Sequence, residues 1–411
     1  MLNAQAQQAS MPVRPYAVDT SAGSLDSTVS NQWFSRPADE KYADLNALFN
    51  AKKAAYDAAW ETRVSTRGFC FEAPIPETKE DFKKLTVGVP NVRTAGADVS
   101  RTVEVAPTHW AFGQLCQLAK APASYLRELP SQMVTEQLTY RMRFAREVEE
   151  VKLYGGTQQL FAATGPTYGR IPDHEVVHAL RQIAGSGLGD NPRFHWKTPG
   201  RLNWSNGTYD PEDMGDKNDR TFYGSDRDLF VFLVDDRRPI VVGKTRDGRD
   251  DLLFRGFYLQ NSEVGSRALK VRSFYLRGVC MNRNLWGCEG FEELTIRHTA
   301  LAPERWLDEC VPALESYSAA SDRKLLESVE KAKAAKLVES DDDELAFLKR
   351  CEFSKAASKK IVEVHEREEG AHMRTAWDFA QGITAYARNA LNTDDRLQVE
   401  AVAGKILNKV A

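Results

Sequence analysis

The spacing of apolar residues along this chain changes twice, and each change predicts a change of structure. After Ser35-Arg-Pro37, a capping residue and a proline suited to a first helical turn, Leu45, Leu48, Phe49, Tyr56, Ala59 and Trp60 recur on one helical stripe. Lys52 interrupts that stripe, and its aliphatic stem is expected to lie along the apolar surface. Short strands are expected at 66–71 and 101–105. Helices at 112–119 and 123–129 flank Lys120-Ala-Pro122, a spacing that resembles a helix-turn-helix. The second of them carries only Arg127 as a cation, so two ordinary packed helices are the plainer reading.

From Leu153 to His298 the period becomes that of strands. Leu160-Phe-Ala-Ala163 precedes the turn Thr164-Gly-Pro166. Leu229-Phe-Val-Phe-Leu-Val234 is a continuous apolar run, expected as a strand covered on both faces. It is expected to end in the turn cluster Asp235-Asp-Arg-Arg-Pro239, with Ile240-Val-Val242 returning as its partner. Further strands are expected at 254–259, 268–276 and 293–298. Gly185-Ser-Gly-Leu-Gly189 lacks the Lys-Ser/Thr of a phosphate loop and reads as a helix stop.

After Pro303 the pattern is helical to the end. Ser340-Asp-Asp-Asp343 offers a capping-box variant, and Val399, Val402, Ala403, Ile406, Leu407 and Val410 form an apolar stripe. These periods predict an α+β fold with a central, mainly antiparallel β-sheet, flanking helices and a helical C-terminal region. The expected organisation is a disordered lead-in at 1–32, a mainly helical region at 33–150, a β-rich domain at 151–303 and a helical region at 304–411.

Composition narrows the function classes. The chain has 411 residues, 42% hydrophobic and 27% charged, which is ordinary for a folded protein. Its six cysteines include no Cys-x-x-Cys pair, so neither a zinc ribbon nor a disulfide framework is expected, and a cytoplasmic setting fits best. The start lacks the basic and apolar blocks of a signal peptide, and no apolar run is long enough to span a membrane. No motif points to a cofactor. With a net charge of -3, any affinity for nucleic acid must come from a local basic face.

One candidate face exists. Arg267, Lys270, Arg272, Arg277 and Arg283 fall in a single stretch without an acidic residue, and Arg297 extends it. In strict alternation Lys270 and Arg272 share one side while Arg267 and Arg277 take the other, so a bulge or twist is needed to unite them. Phe274, Tyr275 and Trp286 are placed to stack on bases. The alternative is a solvated sheet face with its aromatics turned inward.

Two catalytic patterns compete with it. His174-Glu175-Val-Val-His178 puts two imidazoles on one helical face with a carboxylate between them, the arrangement of a zinc hydrolase. Pro172 starts that helix too close to His174, and only Glu263 or Asp226 offers a third ligand. Asp226 and Asp228 share a strand face, with Asp235 and Asp236 at its far end, as metal-dependent nucleases require. Asp-rich strand ends are also common turns.

The stretches Phe254-Arg-Gly-Phe-Tyr-Leu-Gln-Asn-Ser-Glu-Val-Gly-Ser266, Ala268-Leu-Lys-Val271, Val279-Cys-Met-Asn-Arg-Asn284 and Ile296-Arg-His-Thr299 resemble the phage- and plasmid-borne family catalogued as domain of unknown function 932. Thr108-His-Trp-Ala-Phe-Gly-Gln-Leu115, Tyr168-Gly-Arg-Ile171, Ser225-Asp-Arg-Asp228, Trp377-Asp378 and Ile383-Thr-Ala-Tyr-Ala-Arg388 are similar to its longer plasmid-type members. The resemblance implies a mobile-element setting in a host cytoplasm. It matches Asn261, Ser262, Arg272, Asn282, Arg297 and His298, which would form a buried network or face a ligand.

The leading expectation is a non-enzymatic DNA-binding protein, preferring single strands, in recombination or strand annealing. Arg267, Lys270, Arg272, Arg277, Arg283 and Arg297 would meet phosphates, and Tyr275 or Trp286 would stack. The alternatives are a metal-dependent hydrolase using His174, Glu175 and His178, or Asp226 and Asp228, and a protein that blocks a host-defence complex. Self-association through the C-terminal helices is a further expectation.

Overall fold

The computed structural model describes residues 15–18, 40–93, 100–144, 148–189, 191, 195–203, 205–216, 220–284, 293–389 and 393–410. Contacts divide the chain into two compact units. The first is drawn mainly from residues 54–168, with 264–266 added; the second holds 40–53, 169–263 and 267–410. The architecture is α+β, and its sheets are mainly antiparallel. Among the described residues no helix is long and apolar enough to cross a membrane.

The first unit is built on six strands: β1 (Trp60–Ser65), β2 (Cys70–Glu72), β3 (Thr86–Val92), β4 (Arg101–Pro107), β5 (Glu150–Gly155) and β6 (Gln159–Thr164). They lie in the order β1-β5-β6-β4-β3-β2, antiparallel except where β4 meets β6. Because β1 pairs with β5, a sequence boundary at residue 150 would cut this sheet. Three helices, α2 (His109–Leu118), α3 (Ala123–Glu128) and α4 (Ser131–Arg143), bury Phe112, Leu115, Leu126, Val134, Leu138 and Met142 with Val87, Val105 and Leu153. Thr108 caps α2 by accepting from the Ala111 N–H. Trp60 departs from the expected helical stripe. Helix α1 (Leu45–Asp57) stops before it, and its indole N–H donates to the Gly156 carbonyl at 2.8 Å from within β1.

The second unit contains the larger sheet, β9 (Phe222–Gly224), β10 (Leu229–Lys244), β11 (Asp250–Asn261), β12 (Leu269–Arg277) and β13 (Asn282–Asn284), with β14 (Glu293–Ile296) on β12. Alternation gives it two faces. Leu229, Val231, Leu233, Phe257, Leu259, Leu269 and Val271 pack beneath α1, α5 (Asp173–Ala184) and α6 (Ala302–Ala319). Phe230, Phe232, Tyr258 and Phe274 form the opposite face, with Leu202 and Tyr209 from the hairpin of β7 (Arg201–Asn203) and β8 (Thr208–Asp210).

Strand β10 corrects the expected turn. It runs straight through Asp235-Asp-Arg-Arg-Pro239 and pairs with β11, with a register shift between Asp235 and Ile240. Pro239 falls in that irregularity, where its missing N–H costs no ladder bond. Asp236 is held by Lys197 Nζ, the Gly200 N–H and the Tyr209 hydroxyl, and Asp235 by Arg238.

Helices α7 (Arg323–Ala334), α8 (Asp341–Arg350), α9 (Lys355–Glu369), α10 (Ala376–Asn389) and α11 (Thr393–Asn408) complete the unit. The expected capping box at Ser340 and Asp343 is present. Ala403, Ile406 and Leu407 of the terminal stripe are buried with Phe379, Ala380 and Ile383 of α10, so that stripe serves this chain's own core.

Candidate functional site at one end of the larger sheet

The start of β10, the end of β11, the start of β12 and the end of β14 meet at one edge, because Leu229 pairs with Asn261 and Leu269 with Ile296. The N-terminus of α5 points there as well. Pro172 gives that helix no side-chain cap; the Glu175 and Val176 N–H groups donate to the Pro172 carbonyl, and the Asp173 N–H donates to the Glu263 carboxylate.

Lys52 reaches this edge from α1 and is nearly buried. Its ammonium lies 3.0 Å from Asp173 Oδ2 and donates to the Ser225 carbonyl at 2.5 Å. Burial works against that charge, but Asp173, aided by Tyr42 and Glu263, outweighs it and holds the ammonium above its ordinary range. Asn261, fully buried, donates to the Ile171 carbonyl at 2.9 Å and to Asp173 Oδ1 at 2.8 Å. Its own Oδ1 is buried without a hydrogen bond, as is one carboxylate oxygen of Glu263. Burial pushes the Glu263 carboxyl up to about 8; Asp173 adds to the effect, while Lys52 and Arg170 oppose it. Burial also raises Asp226, against Lys52 and with the help of Asp228.

On the other side of the same edge Ser225 and Asp228 close a tight turn. The Ser225 hydroxyl donates to Asp228 Oδ1 at 2.9 Å and accepts from the Arg227 and Asp228 N–H groups. Ser262 donates to the Arg227 carbonyl at 2.8 Å. Arg267 bonds Asp228 Oδ2 at 2.9 Å and lies 4.7 Å over the Phe230 ring. Phe230 sits opposite Gln260, which sits opposite Lys270, so Arg267 joins Lys270 and Arg272 on one face. Strict alternation had put Arg267 elsewhere; it precedes the first residue of β12 and escapes that constraint. Lys270 and Arg272 share one carboxylate, Glu293, at 2.9 and 3.5 Å. Arg297 is exposed beyond β14. His298 Nδ1 lies 3.0 Å from the Gly169 carbonyl, and burial lowers its imidazole.

The expectation of a single free cationic strand therefore needs correction. Arg277 faces the opposite side, nearly buried, bonded to Asp251 at 2.7 Å and to Glu369 at 2.5 Å. Tyr275 is fully buried with Ile240, Leu253 and Leu325, which leaves no ring face for a base, and Phe274 is buried in the other core. Arg283 and Asn282 stand opposite Leu276 and Arg277 in the ladder, and their side chains lie outside the described residues, as does Trp286.

Neither catalytic pattern assembles as expected. His174 and His178 pack beside the Phe49 ring, at 6.4 and 5.8 Å between centroids, and Gln182 Nε2 lies 3.3 Å from His178 Nε2. Glu175 is exposed. Among the described residues they join no group of three metal-ligating side chains. Asp228 is committed to Ser225 and Arg267, whereas Asp226 faces Lys52. The one such group among the described residues is Asp341, Glu344 and His372, whose ligand atoms lie within 4.8 Å. Arg374 already bonds both carboxylates.

Lys52 and Asp173 are the residues sequence reasoning missed. The signal was present, since a lysine interrupting an apolar stripe needs a partner if it is buried. No family model, curated protein or solved structure matches the chain.

Proposed function

We propose that the protein binds nucleic acid at this edge of the larger sheet. The observation that carries the reading is the placement of Arg267, Lys270 and Arg272 on one face with Lys270 and Arg272 sharing a single carboxylate. Arg267, Lys270 and Arg272 bring three cations to that face, beside Asp228 and Glu293. The Lys270–Glu293 pair is part-exposed, so a phosphate can replace its carboxylate at small cost, whereas Arg272 is only 14% exposed and would contribute from beneath. Arg297 extends the charge outward. The implied mobile-element setting makes DNA the form to test first.

Lys270→Gln with Arg272→Gln is predicted to weaken binding of a labelled single-stranded DNA at least tenfold in a polarisation assay. Arg323→Gln, on the exposed surface of α7, is predicted to leave it unchanged. Equal loss in both, or in neither, overturns the assignment. Duplex DNA and RNA of equal length decide which form is preferred.

A second reading, strand cleavage at the same edge, is favoured by Glu263, a carboxyl that burial pushes up to about 8, within the range useful for proton transfer, and by the nearby Asp226, which burial also raises. It predicts that bound DNA is cut over time and that Glu263→Gln stops cutting without weakening binding.

A further inference from the structure

Helix α4 of the first unit turns one face inward and leaves the other bare. Val134, Leu138 and Met142 are fully buried, and the helix is fixed by Arg141 Nε to the Ala119 carbonyl at 2.9 Å and by the exposed Arg143 to the Phe69 carbonyl. On the outer side Met133, Tyr140 and Phe144 are 47%, 59% and 75% exposed. With the exposed Gln137 they recur at intervals of four, three and four, the spacing of a helix-pairing seam. The Tyr140 and Phe144 rings already touch along it, with centroids 6.4 Å apart. A solvent-facing helix surface has no need of that period.

We propose that this seam is a dimer interface, with α4 of a second copy of the chain packed antiparallel against it. The charges beside the seam choose this occupant. Glu136 and Arg143 flank it on the same side, one heptad apart, and both are exposed. When the helix meets a two-fold copy of itself antiparallel, Met133 faces the partner's Phe144 and Gln137 faces the partner's Tyr140. Glu136 then falls beside the partner's Arg143, and the two-fold axis makes that contact twice. A parallel pairing would set like residues of the seam side by side and would not bring Glu136 against Arg143. An isologous interface must be complementary to itself, and this face is. Arg143 spends only part of its fork on the Phe69 carbonyl, so donors remain for a carboxylate.

Sedimentation velocity of the full chain over a concentration series tests this. The wild type is expected to show a monomer–dimer equilibrium. Glu136→Arg turns two attractive contacts repulsive and is expected to weaken the dimer about tenfold, at a few tenths of a kcal/mol for each attraction lost and each repulsion gained. Mixing Glu136→Arg protein with Arg143→Glu protein is expected to restore dimers, because both contacts are then opposite in sign. Circular dichroism verifies that each variant keeps its fold, and Tyr140→Glu supplies a break that does not touch Arg143. A wild type that stays monomeric throughout overturns the proposal. So does a dimer indifferent to Tyr140→Glu, or one that mixing fails to restore; the last result would assign the face to another occupant.

Discussion

Glu263 is predicted to make the second unit less stable as pH rises through neutrality, and Glu263→Gln to remove most of that loss. Its carboxyl is pushed from an ordinary 4.5 up to about 8 by burial and by Asp173, with Lys52 and Arg170 pulling the other way. A folded-state value above the unfolded one gives stability that is complete below 4.5 and is lost as pH climbs through 8. Across that window the unfolded carboxylate ionises freely while the folded one holds its proton. At pH 7 this amounts to about 3 kcal/mol, at roughly 1.4 kcal/mol per pH unit. Partial exposure and the sharing of charge with Asp173 bring the expected figure nearer to about 2 kcal/mol. Glutamine keeps the shape and dipole of the protonated acid without a proton to lose. Urea midpoints should therefore fall between pH 5 and pH 8 in the wild type, and fall much less in Glu263→Gln, at equal m values. Parallel pH profiles for the two proteins would refute the burial argument.

Three further outcomes follow from buried contacts. Asp236→Ala strands Lys197, whose side chain is 0% exposed, and is expected to cost about 3–5 kcal/mol in urea unfolding, whereas Lys197→Met with Asp236→Leu is expected to cost less. Gly169→Ala places a methyl carbon 1.9 Å from the Thr299 carbonyl oxygen, so the backbone must shift; a fall in melting temperature of several degrees is expected, at about 1–3 kcal/mol. Arg277→Met leaves Asp251 buried without its main partner and is expected to cost about 3–5 kcal/mol while leaving DNA affinity unchanged, a contrast that polarisation on the folded variant checks directly.

Much of the fold was legible because period and burial agree. The strand alternation from Leu253 to Arg277 and the helices after Pro303 follow directly from the placement of apolar residues. Trp60 was misread because a stripe of period 3.6 continues by chance for two more residues, Ala59 and Trp60, after α1 has ended. The run Asp235–Pro239 has turn chemistry but stays in β10, where Lys197 and Tyr209, distant in sequence, hold Asp236 and the nearby Arg238 holds Asp235. The site was half legible. Asn261, Ser262, Asp226, Asp228 and His298 do come to one sheet edge. The partners that hold them, Lys52 on α1 and Asp173 on α5, are fixed by tertiary packing alone. The cation count misled for the same reason: side-chain type is visible in a sequence, but the carboxylate across the ladder, Glu293 beside Arg272, is not.

The most direct test of the proposed binding edge is the salt dependence of DNA affinity, measured as the slope of log K against log salt for the wild type and for Lys270→Gln with Arg272→Gln. Each phosphate contact contributes about 0.7 to that slope on single strands. The variant is predicted to bind more weakly and with a slope shallower by about 1.4. A wild type that binds no nucleic acid at low salt, or a variant whose slope matches the wild type, would contradict the account.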